Sequence, residues 1–180
     1  MKALFIVDVQ NDFLPGGALG VPNGHEVIEP INRLIDHFDV VLGSKDWHPS
    51  HTSHFNKWPV HCVRGTEGAR FPQTLNRQAI EQVFLKGTST ADDGYSAFEA
   101  TNIDLEHYLH HRGIQQLYIT GLATDYCVLA TARDAARLGF EVYVIKEAVR
   151  AVNLNPDDEQ KAFQAMEKSG VQHISIHQII

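Results

Sequence analysis

Short apolar runs alternate with amphipathic helical patterns along nearly the whole chain, and few folds accommodate such an alternation. Apolar residues recur at helical spacing over residues 27–35, 102–112, 124–138 and 156–169. The strand-length runs between them are Lys2–Val9, Phe38–Leu42, Val83–Leu85, Gln116–Thr120, Phe140–Ile145 and Val171–Ile176. This βαβ repetition predicts an α/β fold: a mostly parallel six-stranded sheet with helices on both faces, in a three-layer, Rossmann-like arrangement.

Length and composition predict that residues 1–180 form a single domain. The chain has 180 residues, of which 43% are hydrophobic and 21% charged, without repeats or linkers. Its net charge of −7 argues against nucleic-acid binding, which needs clustered Lys and Arg. There is no signal-like or membrane-length apolar run. We therefore expect a cytoplasmic protein with no membrane partner, whose two cysteines are free thiols.

Local signals mark helix ends and one long irregular segment. Gly113 and Gly139 follow two of the helical patterns, as expected for left-handed C-terminal caps. Thr124 and Asp125 offer N-cap chemistry for the third helix. Between residues 43 and 77 regular periodicity disappears. A connection of that length inside a compact domain is usually functional.

Three reactive side chains, Asp8, Lys86 and Cys127, follow predicted strands. Because the carboxyl ends of parallel strands meet at one edge of a sheet, we expect the three to converge there. An acid, a lysine and a thiol together resemble an activated nucleophile with a base and an orienting charge. The position of Cys127 near a helix start also favours a thiolate. The alternatives are a loop-capping Asp8, a solvated Lys86 and a Cys127 that is only a buried structural thiol.

A second group of residues predicts a metal site. Four of the eleven histidines fall between positions 48 and 61. Asp46 and His48 are two positions apart in an expected loop, so both side chains can turn to one point, and His61 returns from a later turn. Imidazole and carboxylate ligands suit Zn²⁺, Fe²⁺ or Mn²⁺. Cys62 is a weaker candidate for a ligand, because the side chains of adjacent residues such as His61 and Cys62 tend to point in different directions. The alternative is a scatter of surface histidines, which we expect for His25, His37, His107, His110, His111, His173 and His177.

Three aromatic residues, Phe13, Trp58 and Tyr95, lie in irregular segments near these candidates. Loop aromatics usually cover a core, but three of them beside a polar site would also hold a flat aromatic ligand. The glycine-rich segment Arg64–Ala69 lacks the strand–GxGxxG–helix context of a dinucleotide-binding turn, so we expect an ordinary loop there.

Six segments of the sequence carry a family resemblance. They are Asp8–Phe13 (DVQNDF), Asp46–Pro49 (DWHP), Trp58–Val63 (WPVHCV), Lys86-Gly87, Tyr95–Phe98 (YSAF) and Gly121–Val128 (GLATDYCV). In this order they resemble the nicotinamidase (pyrazinamidase) branch of the isochorismatase-like cysteine hydrolase family. The Asp, Lys and Cys residues identify only the superfamily. The DWHP and WPxHC segments indicate the nicotinamidase branch of the superfamily, because relatives acting on isochorismate or carbamoyl compounds generally lack the metal ligands.

The resemblance implies a role for each candidate residue. Cys127 would be the nucleophile, Asp8 the base that takes its proton, and Lys86 the cation between them. The family also implies one divalent metal ion, with zinc as the first expectation and iron or manganese as alternatives. Its ligands would be Asp46, His48 and His61, with His54 as a fourth in some members and His51 or water as its competitors.

The resemblance further implies a cis peptide between Leu122 and Ala123, which would aim the amides of Ala123 and Cys127 into an oxyanion hole. The substrate ring would pack against Phe13, Trp58, Tyr95 and Leu122.

Nicotinamide is the implied substrate, with pyrazinamide as a second one. Formation of a thioester on the nucleophile would release ammonia, and its hydrolysis would release nicotinic acid, a step of NAD salvage. The alternatives are a metal-free isochorismatase-like hydrolase acting on isochorismate or a carbamoyl compound, and a non-catalytic binding module on the same fold. The resemblance leaves open whether the protein is a homo-oligomer.

Overall fold

The computed structural model describes all of residues 1–180 and contains one six-stranded sheet in which every neighbouring pair of strands is parallel. The predicted α/β fold is confirmed, with an all-parallel sheet in place of a mostly parallel one. The strand order is β3-β2-β1-β4-β5-β6. The strands are β1 (Lys2–Val7), β2 (Val40–Asp46), β3 (Gln82–Lys86), β4 (Gln116–Leu122), β5 (Glu141–Arg150) and β6 (Gln172–Ile174).

Four α-helices cover the two faces of the sheet. Helix α1 contributes Ile31 to a core that contains Leu4, whereas the other helices contribute residues such as Leu109 and Met166 to a core that contains Phe5. Successive residues of a strand point to opposite faces, so Leu4 and Phe5 place the two cores on opposite sides of β1. No helix is both long and apolar enough to cross a membrane. The helices are α1 (Ile28–Ile35), α2 (Leu105–His111), α3 (Leu129–Arg137) and α4 (Asp158–Lys168).

The strand order reverses direction at β1, which lies between β2 and β4. After β1 the chain moves outward to β2 and β3, and it returns to the other side of β1 with β4. In open parallel sheets, ligands bind beyond the carboxyl ends of the strands at the point where the order reverses. Residues at the ends of β1 to β4 are therefore placed to form a site.

Strand β2 is longer than the sequence predicts, and this corrects the placement of Asp46. The prediction was a strand over Phe38–Leu42 with Asp46 in a loop, but β2 continues to Asp46 itself. Ladder pairing to β1 and β3 on either side holds this extension. Ser44 is fully buried there although it is polar, so hydrophobic periodicity alone could not mark the end of the strand.

The helix after β4 also differs from the prediction of a capped helix beginning at Thr124. Residues Thr124–Val128 form a π-helical turn that precedes α3, and no side chain caps it. Asp125 instead accepts hydrogen bonds from the amides of Val152 and Asn153, both at 2.9 Å. The carboxylate is thus used in a tertiary contact, which the local sequence does not indicate.

The remaining boundaries shift by smaller amounts. The two helix-ending glycines have the predicted left-handed backbone, with φ of 65° at Gly113 and 89° at Gly139. Strand β1 ends at Val7 instead of Val9, because Asp8 leaves the extended conformation. Strand β5 is extended to Arg150 and β6 is restricted to three residues.

Candidate active site

Asp8 turns out of β1 at the centre of the sheet edge. Its φ of 48° lies in the left-handed region, which is uncommon for a residue with a side chain. Two contacts to β2 hold this turn: the Asp8 amide donates to the Ser44 carbonyl at 3.2 Å, and the Ser44 hydroxyl donates to Asp8 Oδ1 at 2.7 Å. Because Asp8 is fully buried, its carboxylate needs a cation nearby.

Lys86 supplies that cation from the end of β3. It lies in register with Asp46 at the end of β2. Its Nζ is 2.7 Å from Asp8 Oδ2 and 2.6 Å from Asp46 Oδ1, and it donates to the Gly94 carbonyl at 2.8 Å. The Cys127 Sγ lies 3.4 Å from the same nitrogen. The structure therefore brings together the three side chains that the sequence predicts at one edge.

The charges in this group are set by burial and by the two carboxylates. Burial alone would lower the pKa of Lys86, but the charges of Asp46 and Asp8 outweigh it and raise that pKa well above its usual value. Burial raises the pKa of Asp8, against the opposing effect of the lysine. For Asp46, burial is outweighed by the charge of Lys86 and by the neighbouring imidazole rings of His48 and His61, which together hold its pKa well below the usual value.

Cys127 lies in the π-helical turn after β4, next to the crevice. Gly121 lets the end of β4 pack closely against β1: its φ is 109°, and a Cβ there would lie 2.0 Å from the Val7 carbonyl oxygen. Burial raises the pKa of the Cys127 thiol well above its usual value, against the lowering effect of Lys86. Burial therefore opposes the thiolate that the position of Cys127 near a helix start favours. A base must take the proton, and a carboxylate oxygen of Asp8 lies within 4.8 Å of the sulfur.

One backbone amide beside the thiol has no partner. The peptide between Leu122 and Ala123 is cis, as the family resemblance implies. The Ala123 N–H donates to no group of the protein, and Ala123 lines the same pocket as Cys127. An N–H in this position is available to an oxygen atom of a bound ligand.

Three buried histidines, His48, His54 and His61, face one another beside this group. One ring nitrogen from each lies within 4.8 Å of the others. Every Nδ1 already has an acceptor: the Gly87 carbonyl for His48 at 2.8 Å, Asp92 Oδ1 for His54 at 2.7 Å and the Pro59 carbonyl for His61 at 2.6 Å. Because Nδ1 carries the proton in such a contact, the Nε2 lone pair of each ring is free.

These residues fit a divalent transition metal. Asp46 Oδ2 lies 3.4 Å from His48 Nε2 and 3.8 Å from His61 Nε2. His48 Nε2 is buried without any hydrogen-bond partner, which is costly unless something binds it. Three imidazole nitrogens and one carboxylate form a donor set typical of zinc, iron or manganese. The arrangement includes His54, whereas His51 is exposed and contacts Ser50.

One pocket joins the cysteine group and the histidine group. It encloses about 480 Å³ including its open mouth and is mostly apolar. The predicted residues Phe13, Trp58, Tyr95 and Leu122 all line it. The indole Nε1 of Trp58 donates to the Tyr95 hydroxyl at 3.1 Å, which joins two walls. Sequence reasoning missed five further lining residues: Leu19, Val21, Gly94, Tyr126 and Val152.

A comparison with known protein families shows to which of them the chain belongs. The model described as the isochorismatase domain matches residues 2–178. The chain belongs to the isochorismatase family. This match covers nearly the whole chain and confirms the family resemblance that the sequence motifs predict.

Relatives of this isochorismatase-family chain point to one branch. It is 40% identical over 202 residues to a nicotinamidase of Acinetobacter baylyi, which covers 99% of this chain and 94% of the relative. It resembles a pyrazinamidase of Pyrococcus horikoshii, solved in complex with zinc, with a TM-score of 0.87, 40% identity and coverage of 97% and 98% of the two chains. It also resembles PnC1 from L. infantum, solved with nicotinate, with a TM-score of 0.93, 32% identity and coverage of 100% and 95%.

Gln10 supports the site of this isochorismatase-family chain in a way that the sequence did not reveal. Its buried amide Nε2 donates to the carbonyls of Asp46 at 2.8 Å and Ala69 at 3.0 Å. Its Oε1 accepts from the Asp46 amide at 2.9 Å. Gln10 thus fixes the backbone of a candidate metal ligand from a loop 36 residues away. The motif DVQNDF contained this residue, but without a function.

The other predictions for histidine and cysteine have mixed outcomes. His25, His37, His107, His110, His111 and His177 are exposed, as expected. His173 is not, because its ring packs on Phe163 and its side chain is only 7% exposed. Cys62 is buried in the apolar core beside the site, and burial raises the pKa of its thiol. It belongs to neither group of candidate ligands.

Proposed function

We propose that this protein hydrolyses nicotinamide to nicotinic acid and ammonia, with pyrazinamide as a second substrate. One observation carries the proposal: Cys127, which lies beside the buried Asp8–Lys86 pair, lines the same mostly apolar pocket as the candidate metal ligands Asp46, His54 and His61. The nicotinamidase and pyrazinamidase relatives support the choice of substrate. We also propose that residues 1–180 act as one hydrolase domain in the cytoplasm, where the two unpaired cysteines stay reduced.

The first half of the reaction forms a thioester on Cys127. Asp8 takes the proton of the thiol, and the sulfur attacks the carboxamide carbon of the substrate. The carbonyl oxygen becomes an oxyanion, which accepts hydrogen bonds from the Ala123 and Cys127 amides. When the tetrahedral intermediate collapses, the C–N bond breaks, Asp8 returns its proton to the nitrogen, and ammonia leaves. Loss of one oxyanion donor typically costs about 2.7–4 kcal/mol of barrier.

The second half hydrolyses the thioester. Asp8, again ionised, takes a proton from a water molecule, whose oxygen attacks the same carbon. The C–S bond breaks, the proton returns to the sulfur, and nicotinic acid is released with Cys127 as a thiol. The raised pKa of Asp8 supports both proton transfers, because a base works best when its pKa approaches the working pH. Lys86 keeps its charge throughout and compensates the negative charge on Asp8 and on the sulfur.

The pocket orients the ring. Phe13, Trp58, Tyr95 and Leu122 provide flat apolar walls and exclude water from the thioester. Asp46, His48, His54 and His61 would hold one divalent ion, for which zinc is our first choice. When bound, this ion supplies a Lewis acid that can take the ring nitrogen of the substrate and so fix its orientation.

The deciding experiment is ammonia release from nicotinamide by the purified protein, before and after treatment with a chelator. We expect turnover that the chelator abolishes and added zinc restores. Cys127→Ala is the matched variant, which we expect to be inactive while its zinc content is unchanged. Isochorismate and a carbamoyl compound are assayed in parallel. Turnover of either of these, with nicotinamide inert, would replace our proposal by a metal-free relative's activity.

A further inference from the structure

Asp92 lies in the loop between β3 and α2 and contacts the histidine group from outside. Its Oδ1 accepts the Nδ1–H of His54 at 2.7 Å and the Tyr95 hydroxyl at 3.3 Å. Its Oδ2 accepts from the ammonium group of Lys57. The carboxylate is therefore fully engaged, with its two oxygens on different partners. No motif in the sequence indicated this residue.

The three histidines differ in what holds their Nδ1 atoms. His48 and His61 donate to backbone carbonyls, those of Gly87 and Pro59, whose positions the fold fixes. His54 alone donates to a side-chain carboxylate. A neutral imidazole can carry its proton on either nitrogen, and the hydrogen bond made by one nitrogen decides the state of the other. The free Nε2 of His54 thus depends on a single replaceable side chain.

We propose that Asp92 is a positioning residue of the candidate metal site: it holds the Nδ1–H of His54 and thereby directs Nε2 toward His48 and His61. A carboxylate partner also makes a histidine a stronger ligand. The inference rests on the proposed metal site. It predicts that Asp92 contributes to metal affinity through His54 and through no other ligand.

The binding test titrates the metal-free full-length protein with zinc in competition with a chromogenic chelator. We expect Asp92→Ala to weaken zinc binding about 10- to 100-fold, the range found for such partners of metal-binding histidines. Asp92→Asn keeps an acceptor without the charge and should lose less. Lys57→Ala is the matched control: it removes the partner of Oδ2, leaves the contact to His54, and should bind zinc like the wild-type protein. Thermal unfolding of the metal-free variants verifies that they fold.

A double-mutant cycle separates positioning from a general structural effect. In a His54→Ala background, the change Asp92→Ala should cause no further loss of zinc affinity, because the residue through which it acts is gone. An equal loss in both backgrounds, or wild-type affinity in Asp92→Ala alone, would overturn the inference.

Histidine ¹⁵N spectra of the metal-free protein test the same inference without zinc. His54 should carry its proton on Nδ1 in the wild-type protein and lose that preference in Asp92→Ala. An unchanged tautomer would refute the role of Asp92. If the wild-type protein binds no zinc at all, the proposed metal fails, while this comparison still decides what Asp92 does.

Discussion

Replacing Lys86 by methionine should remove a large part of the stability of the metal-free protein. The side chain is fully buried, and its ammonium group lies 2.7 Å from Asp8 and 2.6 Å from Asp46. Methionine fills a similar volume but leaves two buried carboxylates without a cation. Breaking a buried ion pair by removing one partner costs about 3–5 kcal/mol. With a urea m-value of about 2 kcal/mol per M, the unfolding midpoint should fall by about 1.5–2.5 M.

The loss should also depend on pH, in a direction that follows from burial. Without the lysine, burial raises the folded-state pKa of Asp8 further above the unfolded value of about 3.9, and the pKa of Asp46 loses the largest effect that lowers it. The folded variant then binds more protons than its unfolded chain above that pH, so its stability falls as pH rises. The difference from the wild-type protein should be small near pH 4 and grow toward pH 8. Lys86 keeps its charge over this range in the wild-type protein because its pKa is raised.

The measurement is urea unfolding followed by circular dichroism in chelator-containing buffer at pH 5 and pH 8. Lys45→Met is the matched control, since Lys45 stacks over the rings of Trp47 and Phe71 and pairs with no carboxylate. We expect it to cost about 1 kcal/mol or less, the value of a cation–π contact at a partly exposed site. If Lys86→Met loses no more than Lys45→Met, or the same amount at both pH values, the argument from buried charge is refuted.

Three further predictions concern the site. Cys127→Ala should abolish ammonia release from nicotinamide but keep the zinc content measured by elemental analysis; residual turnover near the wild-type rate would contradict the thioester route. His54→Ala should reduce zinc affinity in a chelator-competition assay, whereas His51→Ala should not, and equal effects would mean that the two were assigned incorrectly. Gln10→Ala leaves the buried backbone groups of Asp46 without partners and should lower the free energy of unfolding by about 1–3 kcal/mol. Denaturant unfolding measures this loss. An unchanged free energy would mean that water replaces the glutamine amide at no cost.

The convergence of Asp8, Lys86 and Cys127 could be predicted from the sequence because it follows from topology. Each residue comes at or just after the end of a buried strand, and a parallel sheet brings those ends to one edge. No knowledge of side-chain geometry was needed. The roles of the three residues remain predictions.

The choice between His54 and His51 could not be made from the sequence. Both lie in the same irregular segment, and spacing alone allows either to face the other histidines. The structure distinguishes them through the short helix Ser53–Asn56, whose N-cap Thr52 accepts the His54 amide at 3.2 Å. The same hydroxyl donates to the Ala91 carbonyl at 3.0 Å, which ties this turn to the loop that carries Asp92.

Gln10 and Asp92 were missed for a related reason. Each acts through a partner that is distant in sequence: His54 and Asp92, for example, are 38 positions apart. The path of a loop decides such contacts, and hydrophobic periodicity carries no information about it. The end of β2 at Asp46 was missed because ladder pairing, and not apolar patterning, extends that strand.

The central position of β1 also governs when the protein becomes reactive during its synthesis. Asp8 follows β1 and Cys127 follows β4, so the two come together only when β4 pairs with β1, where the Thr120 hydroxyl donates to the Phe5 carbonyl 115 residues away. A growing chain therefore makes its acid early and its nucleophile late. Until β4 pairs with β1, the Cys127 thiol has neither the base Asp8 nor the cation Lys86 beside it. Regain of activity after dilution from denaturant should accordingly report completion of the sheet, and no fragment that ends before β4 can contain a functional site.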